Sequence, residues 1–599
     1  MLSERIKNKI KKHKVISFDI FDTLLQRPYI NPYHLLNHIE KYTGMIGYAD
    51  NRYKAECIAR KNSEKEDITL DEIYANVNEK FKHLIETELI FEETLLRKKQ
   101  IGFEIYKYAC EQNKTIVFIS DMYLPKSFLE KILKKNEYNK YDLFYLSNEY
   151  GLAKYTSNLY KKFLEDTGYK PSTVLHIGDS IISDIKMAKK AKIHTLYIQK
   201  DSDKFFADKN NRRWKILYDK NQSIEISLIL SMLVQKYISN KQILTNEKNY
   251  WYDFGYCIAA PIGYAFSMFI LENIIANNIE EVLFVARDGY ILKKLLDKFL
   301  VSKNIKTFYI YAQRILRSRI LLDYGDEHNA DLLLSIIDEH IPRNIKLINF
   351  EQKKEYIDNN INKLTEYANN KKNEYRQYLL QQGIEQNKHI AIVDTGAATF
   401  SAQQIVETVL NKKIMGIYSI ITNPQYAENK NINYKVWSKD KDVIKNITSI
   451  IEFCFSAPEL PIIDLINGKP VYIKNPNINE LYRNSLCSII INGILDFVQD
   501  FRNVIKEYNI SFSNKETNEY IYYFIKYLSL LDKKKLKKVN SPSNSSHTEY
   551  KQNLLIDMQN SIHNSYAVFD KIFSLHKEYV NNNKRIIIRF FGIKLTFKF

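Results

Sequence analysis

The chain has 599 residues, of which 45% are hydrophobic and 26% are charged, and its formal net charge is +18. This length is too great for one hydrophobic core, so we expect a globular protein of roughly three or four domains. The five cysteines are widely spaced and form no CxxC pair, which argues against disulfides and a thiolate zinc site and favours a reducing, cytoplasmic compartment.

The first 205 residues alternate short apolar strands with helical stretches. The strand in KVISFD is followed by a helical insertion from about 32 to 112, and TIVFIS, DLFYLS, TVLHIG and IHTLYI then return as short strands. This alternation predicts an α/β domain with a Rossmann-like parallel sheet and a helical cap inserted after the first strand.

The remainder of the chain divides by its pattern into four further segments. We expect a helical connector over 206–248, a second α/β domain over 249–475, a helical region over 476–580 and a basic, apolar tail over 581–599. An uncharged run over 254–271 has the minimum length for a membrane span, but a helix buried inside the protein explains it at least as well.

The tail has the period of a β-strand from Ile593 onward. Gly592 would permit a turn that pairs this strand with residues 586–588. The apolar face of such a ribbon needs a partner, because a two-stranded hairpin is marginal in water. Two partners remain open, the helical region of the protein itself and an anionic inner-membrane surface.

Polar side chains of the first domain are found where its predicted strands end. They are Asp19, Ser120, Lys154, Asp179 and Asp184. In a parallel sheet, ligands and catalytic groups gather at the carboxyl ends of the strands. A carboxylate nucleophile, a hydroxyl donor, a lysine and an acidic pair together predict a site for a phosphoryl group and Mg²⁺.

Four motifs in order, DIFDT, ISD, a lone lysine and GDSIISD, make the first 200 residues resemble the haloacid dehalogenase (HAD) superfamily. The resemblance implies that Asp19 attacks phosphorus to give an aspartyl phosphate. It further implies that Ser120 binds the phosphoryl oxygens and that Lys154 neutralises their charge. Mg²⁺ would be held by Asp19, the Phe21 carbonyl, Asp179 and Asp184, and Thr23 of the first motif would be a cofactor-binding residue.

Phe21 departs from the pattern of HAD phosphatases, which usually carry a proton-donating Asp two residues after the nucleophile. An aromatic residue there is similar to the metal-independent 2-haloacid dehalogenases, but those enzymes lack the acidic pair that GDSIISD retains. Three interpretations remain open. Asp22 or a cap residue donates the proton, the substrate has a low-pKa leaving group, or the domain has become a binding module.

The second α/β region contains FVARDGY and IVDTGAATFSAQQ. A short Gly/Thr loop that opens a helix can hold an anion with its backbone N–H groups. We therefore predict Arg287, Asp394, Gly396 and Thr399 as cofactor-binding residues, with further charge from the arginines of AQRILRSR. The alternative is that Asp288 and Asp394 cap helices and that the arginines lie on a solvated face.

The order of a HAD-like domain followed by ARDGY and VDTG resembles the large predicted HAD-type hydrolases that are associated with bacterial surface-polysaccharide genes. This resemblance implies a cytoplasmic Mg²⁺-dependent phosphohydrolase or phosphotransferase acting on a phosphorylated sugar or nucleotide-sugar. One alternative is a bifunctional protein or glycan transferase whose second domain carries the activity, with the HAD domain a binding or degenerate module. Another is a non-catalytic scaffold at the membrane surface.

The predicted partners are a small phosphorylated substrate and, at the periphery of the inner membrane, anionic lipid or glycan-assembly enzymes. The positive charge does not predict nucleic-acid binding, because we find no zinc-finger spacing and no RNA-binding signature.

Overall fold

The computed structural model describes residues 2–240, 242–300, 304–312, 314–337, 349–438, 450–542, 550–559, 573–580, 583–590 and 593–598. The chain forms two compact units. The N-terminal unit comprises residues 1–241 and 500–510, and the C-terminal unit comprises residues 242–499 and 511–599.

The N-terminal unit is built on a five-stranded parallel sheet. Its strands are β1 (Val15–Phe18), β2 (Thr115–Ser120), β3 (Leu143–Leu146), β4 (Val174–Gly178) and β5 (His194–Tyr197). Their order across the sheet is β3-β2-β1-β4-β5. All four residues of β1 are buried, as the apolar run VISF predicts for a central strand covered on both faces. The prediction of a Rossmann-like α/β fold is confirmed.

Helices cover this sheet and form the insertion after β1. The α-helices of the unit are Glu4–Lys12, His34–Thr43, Tyr48–Asn62, Leu70–Tyr74, Ile85–Leu95, Gln100–Glu111, Lys126–Lys135, Ser147–Tyr150, Asn158–Thr167, Ala188–Lys190, Asp201–Ala207, Arg212–Lys220 and Ile224–Asn240. Short segments of 3-10 helix lie at Glu79–Leu84, Pro171–Thr173 and Lys209–Asn211, and a π-helical segment lies at Ile181–Met187. A short antiparallel pair, Leu25–Gln26 with Arg97–Lys98, joins the two ends of the insertion.

Helix Gln100–Glu111 packs directly on the loop that follows β1. A Cβ atom added to Gly102 would lie 1.9 Å from the carbonyl oxygen of Thr23. Only glycine therefore allows this helix to approach the loop so closely.

We expect Gly102→Val to lower the free energy of unfolding of the N-terminal unit by about 1–3 kcal/mol, because the added atoms overpack this contact. Denaturant unfolding measures the effect, with Lys107→Val at an exposed position of the same helix as the control for helix propensity. Equal losses in the two variants would show that the close approach of Gly102 does not contribute.

The C-terminal unit contains a second five-stranded parallel sheet. Its strands are β6 (Glu281–Val285), β7 (Lys306–Ile310), β8 (Ile390–Ala397), β9 (Met415–Ile421) and β10 (Tyr434–Val436). Their order is β10-β9-β8-β6-β7. A core that includes Leu283, Ile310, Ile392 and Ile405 lies between the sheet and its helices. This sheet confirms the predicted second α/β domain.

The α-helices that begin within the C-terminal unit cover this sheet and extend beyond it. They are Tyr250–Phe254, Ala260–Ala276, Tyr290–Phe299, Arg314–Leu321, Glu327–Ile337, Phe350–Asn359, Ile361–Gln381, Ser401–Leu410, Pro424–Asn429, Ile478–Ile505, Asn514–Lys526 and Leu530–Leu536. A π-helical turn, Gly255–Ala259, joins the first two into one continuous helix.

The continuous helix Tyr250–Ala276 contains the apolar run noted in the sequence. Among the described residues it alone is long and apolar enough to cross a membrane, and 89% of its most apolar window is buried inside the protein. A Cβ atom on Gly255 would lie 2.1 Å from the carbonyl oxygen of Ile490, so another helix crosses this one at close range. Interior packing therefore accounts for the apolar composition of this helix.

The part of the chain beyond 460 also contains strands that pair with their neighbours in sequence. They are Ile462–Ile466 with Lys469–Tyr472, Asn540–Pro542 with Tyr550–Asn553, and the sheet Phe573–Val580, Asn583–Phe590 and Ile593–Lys598. The prediction of a helical region over 476–580 is wrong for 540–542, 550–553 and 573–580. The last of these, FSLHKEYV, pairs along its whole length with the strand Asn583–Phe590. These cross-strand pairs stabilise an extended backbone over a helix.

The predicted pairing within the tail is confirmed, since Ile588 lies opposite Leu595 and Ile586 lies opposite Phe597. The predicted turn at Gly592 lies outside the described residues.

Candidate active site

Asp19 lies at the centre of the carboxyl edge of the N-terminal sheet. It directly follows β1, between β2 and β4, and its backbone N–H donates to the Ile177 carbonyl at 2.9 Å. The side chain is buried, with 6% of the residue exposed. In sheets of this winding, ligands bind where the strand order reverses, which here is the crevice between β1 and β4.

Lys154 bridges two of the predicted carboxylates. Its Nζ atom lies 2.5 Å from Asp19 Oδ1 and 2.7 Å from Asp184 Oδ1. The Ser120 hydroxyl, at the end of β2, lies 3.4 Å from Asp19 Oδ1. The structure therefore brings together the nucleophile, the lysine and the hydroxyl that the motifs predict.

Asp19, Asp179 and Asp184 form a buried acidic triad. Each offers a carboxylate oxygen, and these oxygens all lie within 4.8 Å of one another. The Thr23 hydroxyl lies 3.2 Å from Asp19 Oδ2 and 3.2 Å from Asp179 Oδ1. Three clustered carboxylates are a donor set of the kind that Mg²⁺ prefers, so these residues fit a bound Mg²⁺ ion.

The charges of this cluster depend on one another. Burial, opposed by Lys154 and reinforced by the other two acids, raises the pKa of Asp19 well above its usual value. Burial disfavours the Lys154 ammonium, but Asp184 and Asp19 outweigh burial and raise the pKa of that lysine. Burial also opposes ionisation of Asp184, yet Lys154 and His176 hold its pKa well below the ordinary range. Asp19 and Asp184 therefore favour the charged form of Lys154 between them.

Asp184 is fixed by contacts of its own. Its Oδ2 atom accepts the Ser180 N–H at 2.8 Å, and its Oδ1 atom lies 3.2 Å from His176 Nε2. The other ring nitrogen of His176 lies 2.9 Å from the hydroxyl of Ser17 on β1. Sequence reasoning missed His176 and Ser17, although a histidine inside the apolar strand TVLHIG was a signal of a buried polar role.

Lys200 is a second cation at the site that no motif indicates. Its Nζ atom lies 2.8 Å from Asp22 Oδ2 and 3.3 Å from Asp179 Oδ2. Asp22 has a positive φ of 55°, which is uncommon outside glycine, and its carboxylate is 39% exposed. The predicted catalytic residue Asp22 is thus paired with Lys200, and no described hydrogen bond joins it to Asp19.

Phe21 lies beneath an arginine. The guanidinium carbon of Arg27 is 4.6 Å from the centre of the Phe21 ring, and Arg27 is held by Glu92 through Nε–Oε2 and NH2–Oε1 distances of 2.9 and 2.5 Å. The structure gives no contact that tests the predicted metal-binding role of the Phe21 carbonyl, so that role stays a prediction.

A cavity of about 200 Å³ lies between the insertion and the loop that follows Ser120. It is lined by Arg27, Pro32, Tyr33, Leu35, Leu36, Glu56, Arg60, Glu92, Asp121, Met122 and Tyr123. Since Asp121 directly follows Ser120 and Arg27 covers Phe21, the cavity adjoins the cluster around Asp19.

The predicted residues of the second region lie at the ends of neighbouring strands. Arg287 follows β6, and its guanidinium NH2 is paired with Glu480. Asp394 lies near the end of β8, where burial and then Asp288 raise its pKa to about 8. Gly396 is exposed, and the Thr399 hydroxyl lies 3.0 Å from that of Ser401.

The alternative interpretation of these motifs is wrong in two respects. The residues that cap the following helices are Gly289 and Phe400, so neither Asp288 nor Asp394 is a helix cap. Arg317 of AQRILRSR does not lie on a solvated face, because only 2% of it is exposed. The side chain of Arg314 lies outside the described residues.

Comparison with known proteins gives one family. Residues 152–208 match the family model described as HAD-hydrolase-like, and this segment contains Lys154, Asp179 and Asp184. No curated protein sequence matches the chain significantly.

Similar solved structures cover about a third of the chain. A HAD phosphatase from Thermococcus onnurineus is 18% identical, with 31% of this chain and 86% of that chain covered and a TM-score of 0.25. The putative HAD-hydrolase YfnB from Bacillus subtilis, described as bound to magnesium, is 17% identical, with 31% and 89% covered and a TM-score of 0.25. L-2-haloacid dehalogenase from Xanthobacter autotrophicus is 11% identical, with 33% and 83% covered and a TM-score of 0.24.

Proposed function

We propose that the N-terminal unit is a Mg²⁺-dependent phosphohydrolase or phosphotransferase that forms an aspartyl phosphate on Asp19. The observation that carries the proposal is the bridge from Lys154 to Asp19 and Asp184, at 2.5 and 2.7 Å, beside the third carboxylate of Asp179. A phosphoryl group is strongly anionic, and its transfer is catalysed chiefly by positioning and by cations.

In the first step, a carboxylate oxygen of Asp19 forms a bond to phosphorus, and the bond from phosphorus to the leaving oxygen breaks, with the electron pair staying on that oxygen. Ser120 and Lys154 donate hydrogen bonds to the phosphoryl oxygens. In the second step, the oxygen of water or of an acceptor hydroxyl forms a bond to phosphorus, the bond from phosphorus to Asp19 breaks, which restores the carboxylate, and the proton of the attacking group is released to solvent. Mg²⁺ bound by the triad would neutralise charge on the phosphoryl group.

Protonation of the leaving group is the step for which the site is least equipped. Phe21 has no acidic group, and the carboxylate of Asp22 is bound to Lys200. Esters with a low-pKa leaving group, such as aryl phosphates, need no proton donor, so we infer that these are turned over faster than alkyl phosphates. Loss of general acid catalysis costs about 10²–10⁴ in rate.

An Asp22→Asn variant tests the role of Asp22 as the acid. Because Asp22 is paired with Lys200, we expect the ratio of aryl to alkyl phosphate turnover to stay as in the wild-type protein. If Asp22 is the proton donor, alkyl turnover falls by about 10²–10⁴ while aryl turnover is kept. Steady-state phosphate release from the two ester classes distinguishes these outcomes.

The experiment that tests the proposed function is a screen for phosphate release from aryl phosphates and sugar phosphates, with and without Mg²⁺. We expect release that requires Mg²⁺. Chloride release from a 2-haloacid without metal, and no phosphate release, would show that the site follows the dehalogenase reaction instead.

For the substrate, the cavity supports a small phosphorylated sugar. Its volume of about 200 Å³ is below the roughly 300–1,000 Å³ of pockets that bind drug-sized ligands, which favours a sugar phosphate over a nucleotide-sugar. Its lining combines charged groups with tyrosines, which suits a ligand that bears hydroxyl groups. On the basis of the resemblance in motif order alone, we propose that the protein acts in surface-glycan assembly in the cytoplasm.

The tail supports a further proposal, peripheral contact with anionic lipid. Residues 583–590 and 593–598 form two paired strands with basic residues, each of which could add about 1 kcal/mol at an anionic surface. We expect deletion of residues 584–599 to abolish sedimentation of the protein with acidic vesicles. Neither the full-length protein nor the deletion variant should sediment with neutral vesicles. Unchanged sedimentation with a lower melting temperature would show instead that the tail packs on the protein.

A further inference from the structure

The sheet of the C-terminal unit has its own point of reversal in strand order. β6 and β8 are neighbours in the sheet, while β7 lies on the outer side of β6. Ligands of open α/β sheets bind in the crevice at the carboxyl ends of two such strands. Here Gly396, close to the end of β8, and Ala398, in the loop that follows, are exposed.

The helix that follows this loop, Ser401–Leu410, begins without a side-chain cap. Its N-cap residue, Phe400, has a left-handed backbone with φ of 51° and offers no hydrogen-bond acceptor from its side chain. The backbone N–H groups of the first helical turn have no partners within a helix, and such groups bind anions readily.

A buried arginine with unpaired nitrogen atoms reaches the same turn. Arg317 NH2 lies 3.5 Å from the side-chain oxygen of Gln404, in the first turn of the helix, and 2.7 Å from the Tyr426 hydroxyl. The Tyr426 ring in turn stacks on Phe400 at 6.5 Å. The same NH2 pairs with Asp323, but Nε and NH1 have no hydrogen-bond partner in the part of the chain that the structure describes. Buried donors of this kind need a partner.

On the other side of the loop the groups are hydrogen-bond acceptors. The Asp288 carboxylate accepts the Thr395 hydroxyl at 2.9 Å, and Asp394 accepts the Thr395 N–H at 2.7 Å. Both carboxylates are partly exposed at the strand ends. Oxygen atoms at this position suit the hydroxyl groups of a ligand, and the carboxylate of Asp288 disfavours a second anionic group.

We propose that the C-terminal unit binds a phosphate-bearing small molecule with a hydroxyl-rich organic part at the carboxyl ends of β6 and β8. The phosphate accepts hydrogen bonds from the first turn of helix Ser401–Leu410 and from Arg317, and the hydroxyl groups face Asp288 and Asp394. This site is separate from the acidic triad of the N-terminal unit. In this site Arg317 has the anion-binding role that the sequence predicted for Arg287, which is paired with Glu480.

The test is calorimetric titration of the full-length protein with inorganic phosphate, without Mg²⁺. Two pairs of variants are compared, Arg317→Gln with Arg376→Gln at an exposed arginine, and Ala398→Glu with Ala398→Gln. Arg317→Gln removes the cation, and Ala398→Glu adds a negative charge beside the loop. Arg376→Gln and Ala398→Gln are their matched controls. We expect Arg317→Gln and Ala398→Glu to weaken one class of phosphate site at least tenfold, and the controls to titrate as wild type.

Titration of Arg317→Gln and Ala398→Glu that matches their controls would overturn the proposal. If Arg317→Gln fails to fold, as judged by its melting curve, the Ala398 pair decides alone, since Ala398 lies on the exposed loop.

Discussion

An Asp19→Asn variant is expected to lose Mg²⁺-dependent aryl phosphatase activity by a factor on the order of 10⁴ or more. Asparagine has the shape of aspartate and can still contact Lys154 and Ser120, so the architecture of the site is kept. It lacks the charged oxygen that attacks phosphorus, and among the described residues Asp19 is the carboxylate that contacts both Lys154 and Ser120. Initial rates of phosphate release, measured at saturating Mg²⁺, give the factor.

The matched control for this change is Asp50→Asn, because Asp50 is 69% exposed and pairs with the exposed Lys54. We expect this control to keep the wild-type rate. Retention of most activity in Asp19→Asn would show that Asp19 is not the nucleophile, and the aspartyl phosphate would have to be abandoned.

Lys154→Met is expected to affect both activity and stability. The lysine side chain is 4% exposed and contacts carboxylates that are 9% and 1% exposed in Asp19 and Asp184. Removing one partner of a buried ion pair leaves the other charges uncompensated, at a cost of about 3–5 kcal/mol. The variant also lacks the cation that contacts Asp19. We therefore expect both the rate of phosphate release and the free energy of unfolding of the N-terminal unit to fall.

Lys54→Met is the control for the loss of a lysine, since the Lys54–Asp50 pair is exposed and such pairs are worth about 0–1 kcal/mol. Denaturant unfolding of both variants, followed by far-UV circular dichroism, compares the two losses. Equal losses would contradict the view that Lys154 is a buried structural cation of the site.

Local sequence patterns predict much of the N-terminal unit. The strands were predictable because short apolar runs are bounded by polar turns, and Asp19, Ser120 and Asp179 were predictable because each directly follows such a run. His176 was harder to assign, since a strand residue can face either side of the sheet. Lys200 was missed because its partners, Asp22 and Asp179, are distant in sequence and meet it only in the folded protein.

Backbone geometry and contacts between residues that are distant in sequence explain the remaining differences between the predicted and observed sites. The positive φ of Asp22 accompanies a carboxylate that contacts Lys200, and an aspartate in the DIFDT motif gives no sign of that conformation. Arg287 seemed available to a ligand because its partner, Glu480, lies 193 residues further along the chain. For Arg317 the sequence left two interpretations open, charge for a bound anion and a solvated face, and packing of its helix against Ser401–Leu410 buries it.

The central claim, covalent phosphoryl transfer through Asp19, is tested most directly by identifying the phosphorylated residue. Wild-type protein is quenched in acid during turnover of an aryl phosphate with Mg²⁺, and its peptides are analysed by mass spectrometry. We expect a phosphoryl group on Asp19, and none when Mg²⁺ is withheld. Phosphate release without any phosphoryl group on Asp19, or with the group on another residue, would contradict the proposed reaction.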